Sequence, residues 1–397
     1  MGRVIYKTAQ GEVEFFDHEH EVTLPNCSTL DIEVLSNNAT NKALLYLSLH
    51  KAFQEGIIPI LYDRNISSIK PRVDALDFQK LPKNTATIFF TSGTTGEPTG
   101  AIKSRANLEK ELEVLTKLFA SEKFERVIVT VPLIHIYGFL AGVLLPKALG
   151  AEVVLKEEFL PHELIELSEG KKTLCITNPV FLKVLNKLNI EGQHPNMTFL
   201  SSTGKLDNQT AQELPKKLNC NIYQLFGSTE TGGIAYKIND EELWQPLEHV
   251  KVSKEEECLS IDSPFLSKYL IEEQLKEIAH PFVTSDLIEL QEGKFKLLGR
   301  KSEIIKISGK RISLLEVEQL LEESAFIEEA LVKLDYNVES HKDEQLDISV
   351  VSKLELKALK KEIKRILQNN YKKINIRTQV KVLEEILKNQ MGKKIRR

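Results

Sequence analysis

The chain has 397 residues, 42% hydrophobic and 28% charged, with 53 Lys and Arg set against 57 Asp and Glu for a net charge of −4. That length exceeds one ordinary domain and carries enough apolar residue for a sizeable core. The near-balanced charge excludes the concentrated basic face that nucleic acid or an anionic membrane surface demands.

In chain order, residues 1–20 contain no apolar signal core. Thr87-Ile88-Phe89-Phe90 reads as a buried strand, then a Gly/Thr loop, then a helix with Leu108, Leu112, Leu115 and Leu118 on its apolar face. Further strands are expected at Val127-Ile128-Val129-Thr130-Val131, Val153-Val154-Leu155, Thr173-Leu174-Cys175-Ile176 and Ile222-Tyr223-Gln224-Leu225-Phe226. The most apolar stretch, residues 139–155, is interrupted by Pro146, Lys147 and Glu152, so no membrane span is expected. Cys27, Cys175, Cys220 and Cys258 lie far apart, without a Cys-x-x-Cys pair or metal spacing. They read as small buried hydrophobes in a reducing, cytoplasmic protein.

The final quarter changes character. Ser313-Leu314-Leu315-Glu316 fits a capping box opening a helix with Leu314, Val317, Leu320 and Leu321 on one face. A strand pattern near residues 346–351 follows, then a helix with Leu356, Leu359, Ile363 and Ile366 in phase and Lys360, Lys361, Lys364 and Arg365 on a solvated face. The expected fold is therefore α/β: a large N-terminal domain, residues 1–301, with mainly parallel β-sheets and covering helices. A small mobile α+β C-terminal domain, residues 302–397, would follow a short hinge.

Thr91-Ser92-Gly93-Thr94-Thr95-Gly96-Glu97-Pro98 is the most informative segment. Its glycines let the backbone approach an anion and its hydroxyls can donate to phosphate oxygens. It is not a Walker A loop, because no lysine follows a glycine at the required place. On loop chemistry alone, a flexible hydroxyl-rich turn reads equally well.

The segment resembles the phosphate-binding signature of the adenylate-forming superfamily, which includes acyl-CoA synthetases, peptide-synthetase adenylation domains and luciferase. Further motifs follow in that family's order. Pro132-Leu133-Ile134-His135-Ile136-Tyr137-Gly138 resembles P-x-x-H-x-x-G, and Tyr223-Gln224-Leu225-Phe226-Gly227-Ser228-Thr229-Glu230 resembles aromatic-G-x-T-E. Ser285-Asp286-Leu287 resembles T-G-D-L, and Leu298-Gly299-Arg300 resembles the G-R that ends the large domain. Residues 305–312, followed by Glu316-Val317-Glu318, resemble the opening of the mobile domain, and Gly392-Lys393 stands where the family carries its catalytic lysine.

The resemblance implies ATP-dependent activation of a carboxylic acid as its acyl-adenylate, then transfer to the thiol of CoA or of a phosphopantetheinyl carrier protein. Thr91, Ser92, Gly93, Thr94, Thr95 and Gly96 would hold the β- and γ-phosphates, and Thr229 the α-phosphate. Phe226 would stack on adenine, with Gly227 and Ser228 beside it. Asp286 would accept from the ribose hydroxyls, helped by Arg300. Glu230 would hold Mg²⁺, His135 would gate the acyl site, and Lys393 would bridge the carboxylate and the leaving oxygen. Taken singly, Glu230 reads as a helix-start cap, Asp286 as a turn residue, Lys393 as a solvated lysine and His135 as a core histidine. Their order and spacing shift the weight.

The sequence also departs from the family. Thr99 stands where a phosphate-directed lysine is usual, with Lys103 as a candidate substitute. Arg105 replaces a histidine, Ser285 a glycine, and Ser302 a hinge residue that is usually acidic or lysine. The region before the phosphate loop is shorter than usual, with residues 35–61 read as the remainder of one N-terminal layer. A pocket between the His135 and Tyr223 segments, near Trp244, would be apolar, favouring an aryl or aliphatic acid. The alternative reading is a catalytically impaired homologue acting as a nucleotide- or acyl-binding module.

Overall fold

The computed structural model describes residues 3–8, 11–16, 29–31, 42–63, 66–91, 98–190, 194, 196–307, 310–335, 345–371, 376–388 and 394. They form two compact units, Met1–Val252 with Ile261–Phe282, and Ser253–Ser260 with Val283–Arg397.

The first unit opens with β1 (Arg3–Thr8), β2 (Gly11–Phe16), β3 (Thr29–Asp31), helix α1 (Lys42–Glu55), β4 (Ile58–Leu61), β5 (Thr85–Thr91) and β6 (Thr99–Ser104). Helix α2 (Arg105–Phe119) follows, then β7 (Arg126–Val129), β8 (Glu152–Leu155), β9 (Thr173–Thr177), α3 (Pro179–Lys187) and β10 (Met197–Ser201). Next come α4 (Asn208–Leu218), β11 (Asn221–Ser228), β12 (Gly232–Ile238) and β13 (Gln245–Pro246). After β14 (Lys251–Glu255) and β15 (Cys258–Asp262), whose sheet is described below, β16 (Tyr269–Ile271) and β17 (Leu275–Glu277) complete it.

A nine-stranded sheet runs in the order β13-β12-β11-β10-β9-β7-β8-β1-β2. From β11 through β1 every neighbouring pair is parallel, with antiparallel strands added outside. The expected parallel core is present, and its cause is visible: every residue of β8, β9 and β10 is buried, as strands covered on both faces must be. Leu182 and Leu185 of α3 and Ala211, Leu214 and Leu218 of α4 pack over Ile128, Cys175, Phe199 and Ile222. Asn178 and Asp207 cap these two helices. A six-stranded sheet, β17-β16-β6-β5-β4-β3, packs its own cluster of Ile60, Ile88, Phe90, Ile102 and Ile271.

The second unit holds a four-stranded sheet in which β14 and β15 join β18 (Phe282–Gln291) and β19 (Lys294–Arg300). It continues with the hairpin β20 (Ile304–Ile307) and β21 (Lys310–Ser313), α5 (Leu314–Glu322), β22 (Glu329–Asp335), β23 (Gln345–Val351), α6 (Leu356–Asn370) and β24 (Arg377–Val382). Ser313 caps α5 by accepting from Glu316 N, which is the Ser313 half of the capping box expected from the sequence. Leu359, Ile363 and Ile366 of α6 are buried, but Leu356, the first helical residue, is exposed. Among the described residues no helix is long and apolar enough to cross a membrane.

Candidate active site

The phosphate-loop strands form an antiparallel pair with Thr91 opposite Thr99 and Phe90 opposite Gly100. Thr91 is half-buried at the end of β5. Ser92, Gly93, Thr94, Thr95 and Gly96 lie outside the described residues. Thr99 opens β6, whose other end carries Lys103.

Phe226, Gly227 and Ser228 close β11, and Thr229 and Glu230 lie in the turn to β12. The ring of Phe226 lies 5.5 Å from that of Trp244. A Cβ on Gly227 would meet the Gly232 carbonyl oxygen at 2.3 Å, so glycine is what lets the two strands close here. Ser228 N donates to Thr231 Oγ1 at 3.0 Å, Thr231 N donates to Ser228 Oγ at 3.2 Å, and Thr231 Oγ1 donates to Gly232 O at 2.8 Å. The main chain of Glu230 is fixed as well: its carbonyl accepts from Ser267 N at 2.8 Å and from Lys103 Nζ at 3.0 Å. Its half-buried carboxylate makes no hydrogen bond among the described residues.

Lys103 corrects one expectation. The side chain is wholly buried, and Nζ donates to Phe265 O at 2.7 Å as well as to Glu230 O. It supports the turn instead of substituting for the missing phosphate lysine. Burial lowers its pKa, opposed by nearby Glu111 and Glu230. Glu111 of α2 is also buried, with burial raising its pKa against the pull of Lys103, and its Oε1 accepts from Gly233 N at 2.7 Å.

His135 sits in the turn after β7, and its main-chain carbonyl accepts from Phe139 N at 2.8 Å. Nε2 is buried without a hydrogen-bond partner among the described residues. Desolvation lowers the imidazole pKa, which Asp63 partly offsets, so the ring is neutral near pH 7. Tyr137 Oη reaches Leu200 O at 2.5 Å and Thr177 O at 3.1 Å, fastening the turn to the ends of β9 and β10. Tyr223, by contrast, packs edge-on against Phe119 at 5.0 Å and stacks near Tyr236.

In the second unit Asp286 and Arg300 stand opposite each other on β18 and β19, and Arg300 Nε donates to Asp286 Oδ1 at 3.0 Å. Lys393 lies outside the described residues. Its neighbour Lys394 donates to Glu322 Oε1 at 2.7 Å and to the carbonyl of Ala330.

The structure thus gathers Phe226 through Glu230 in one braced turn, keeps His135 on a separate turn of the same unit, and pairs Asp286 with Arg300. The support from Lys103 and Glu111 is absent from the sequence motifs. A signal was present: Glu111 falls in phase with Leu108 and Leu115 on the buried face of α2.

Residues 25–255 match the family model described as AMP-binding enzyme. A putative long chain fatty acid-CoA ligase, VraA, of Staphylococcus aureus is 24% identical over 338 residues, covering 81% of this chain and 71% of that protein. A 3,4-dihydroxybenzoate–[aryl-carrier protein] ligase of Bacillus anthracis is 24% identical over 294 residues, covering 72% of this chain and 66% of that protein. Among solved structures, o-succinylbenzoate coenzyme A synthetase of Bacillus subtilis, in complex with ATP and magnesium ion, superposes with a TM-score of 0.73 at 18% identity. That likeness covers 89% of this chain and 86% of the other.

Proposed function

Since the chain belongs to the AMP-binding enzyme family, we propose that it activates a carboxylic acid with ATP as an acyl-adenylate, releases pyrophosphate, and passes the acyl group to a thiol. The braced Ser228–Gly233 turn carries the reading, because it fixes the main chain of Glu230 while leaving the carboxylate unbonded among the described residues. A lone carboxylate suits a hard cation that takes its remaining ligands from phosphate and water oxygens, so Glu230 would hold Mg²⁺. When bound, the cation neutralises phosphate charge.

Both reactants are anions, so the site must supply fixed donors and positive charge where charge develops. The substrate carboxylate attacks the α-phosphorus, and the bond to the bridging oxygen breaks with its electron pair leaving on pyrophosphate. Thr91 and residues 92–96 would hold the outer phosphates, and Thr229 the α-phosphate. Phe226 would stack on adenine, with Gly227 and Ser228 lining the nucleotide site, and Asp286 with Arg300 would hold the ribose. Lys393 would neutralise the leaving oxygen. His135, buried and neutral, would border the acyl group.

In the second half-reaction the thiol of CoA, or of a phosphopantetheinyl carrier protein, displaces AMP. The names of the relatives include a fatty-acid CoA ligase and an aryl-carrier ligase, which supports an aliphatic or aryl acid and both classes of acceptor. Residues 1–301 would act as the adenylation domain and 302–397 as its lid. Cys175, Cys220 and Cys258 are free and buried, which suits a cytoplasmic setting.

ATP–pyrophosphate exchange across a panel of carboxylic acids tests this reading whatever the acceptor thiol. Acid-dependent exchange is expected. ATP binding without exchange for any acid would instead favour the impaired homologue.

A further inference from the structure

We propose that Lys103 and Glu111 are positioning residues that register the Thr229–Glu230 turn against the strand leaving the phosphate loop, and so set the rate of adenylation. The inference rests on the adenylate-forming function proposed above, and it concerns two residues outside every motif that pointed to that function.

A buried ammonium and a buried carboxylate are costly unless their hydrogen-bonding capacity is met, so each such group has an identifiable structural or functional cause. Lys103 is 0% exposed and Glu111 3%. Their partners lie on the same short turn. Lys103 Nζ holds the carbonyl of Glu230 at 3.0 Å, and Glu111 Oε1 holds the amide of Gly233 at 2.7 Å. The turn is gripped on both sides of Thr231, with Ser267 N adding a second donor to the Glu230 carbonyl at 2.8 Å. Contact with Glu111 is close along this stretch. A Cβ on Gly232, whose φ is +70°, would come within 2.5 Å of Glu111 Oε2. Only glycine combines that backbone conformation with that approach.

The grip matters because of where the two side chains originate. Lys103 is on β6, which begins at Thr99 opposite Thr91, so one strand runs from the exit of the phosphate loop to the ammonium under Glu230. Glu111 is on α2, which starts directly after β6 with Ser104 as its cap. The residues proposed for the outer phosphates and those proposed for the α-phosphate and Mg²⁺ therefore share one covalently continuous frame. In-line displacement depends on sub-ångström placement of the reacting groups, and such placement requires supporting residues that are themselves locked.

Lys103→Met retains the aliphatic stem but removes the donors. Glu111→Leu removes the acceptor, and Glu111→Gln retains one for Gly233 N. Wild-type protein is assayed first by acid-dependent ATP–pyrophosphate exchange. Failure there rejects the functional reading, and success leaves the variants to decide the positioning role alone. Lys103→Met and Glu111→Leu should each lower kcat for exchange on the order of 10²-fold, as misplacement of about 1 Å does. The Mg²⁺ concentration needed for half-maximal exchange should also rise. Thiol transfer from a pre-made acyl-adenylate expels no pyrophosphate and leaves only the α-phosphate contact of Thr229 in play, so it should fall by no more than about tenfold, clearly less than exchange. Glu111→Gln should recover at least about tenfold over Glu111→Leu, because the hydrogen bond to the turn is retained. Equal loss in both half-reactions, or unchanged exchange in a folded Lys103→Met, would overturn the proposal. If Lys103→Met does not fold, the contrast between the two Glu111 variants decides on the same criteria.

Discussion

At Asp286 one carboxylate oxygen already accepts from Arg300 Nε, and the side chain is 13% exposed. A ribose with two hydroxyls would find a charged acceptor whose orientation is fixed before binding. Charge-assisted hydrogen bonds contribute about 1.5–3 kcal/mol each, so Asp286→Asn should weaken ATP binding by about ten- to a hundredfold while sparing the fold. Isothermal titration reads this directly, and unchanged affinity would discard the ribose assignment. The pair is legible in the sequence because both residues lie in short ordered motifs. Lys103 misleads for the opposite reason. Its nearness to Thr99 along the chain implies nearness to phosphate, but a β6 residue whose strand runs away from the loop ends at the far side of a buried turn. A charged letter in a sequence carries no mark of burial. Only its neighbours Ala101 and Ile102, both buried, and the in-phase Glu111 give any indication.

Elements are easier to read than their pairings. Strands β5, β7, β8, β9 and β11 follow apolar runs that stand out locally, and β8 and β9, covered on both faces, need continuous apolar sequence. The addition of β1 and β2 to the far side of the same sheet depends on pairing Val4 with Val153, which no local pattern encodes. The turn after β7 shows how tightly an element can constrain a site. A Cβ on Gly138 would fall 1.9 Å from Pro132 O, so Gly138→Ala must displace the segment that carries His135. Overpacking of this kind costs about 1–3 kcal/mol, and a lower melting temperature with loss of acid-dependent exchange is expected. Normal stability and exchange in that variant would show that the turn has no such role. Helix α1 offers a pH test. Lys42 Nζ donates to Val129 O at 2.9 Å, and burial pushes its pKa from the ordinary 10.5 down to about 8. Between these values the unfolded chain binds a proton that the folded chain does not, so stability from this group rises with pH across the window. Denaturant titrations should therefore show the stability of wild type relative to Lys42→Met increasing from about pH 8 to about pH 10. A flat difference would exclude this contribution.

The two compact units divide the proposed groups, with Phe226, Thr229 and Glu230 in the first and Asp286, Arg300 and the C-terminal lysines in the second. The change in pattern after Arg300 is readable from capping and charge, whereas the inclusion of residues 253–260 in the second unit arises from sheet pairing at long range. Lys393 and Lys394 test what the second unit contributes. If Lys393 neutralises charge only while pyrophosphate departs, Lys393→Ala should lower exchange on the order of 10²–10³-fold, as loss of one electrostatic stabiliser does. Thiol transfer from a pre-made acyl-adenylate should remain near wild type, because AMP leaves in that step without it. Lys394 should behave differently. Its ammonium lies 2.7 Å from Glu322 and 3.5 Å from Glu318, whose side chain is 4% exposed. Lys394→Ala removes this ammonium from beside a buried carboxylate. Stability should fall by about 1–2 kcal/mol, a cost reduced from that of a fully buried pair because Lys394 itself is partly solvated. Both half-reactions should then decline together, in proportion to the folded fraction. Thermal unfolding with the two half-reactions measured in parallel separates these outcomes. Similar small effects at both lysines, with exchange intact, would reduce the tail to solvated charge and remove Lys393 from the mechanism.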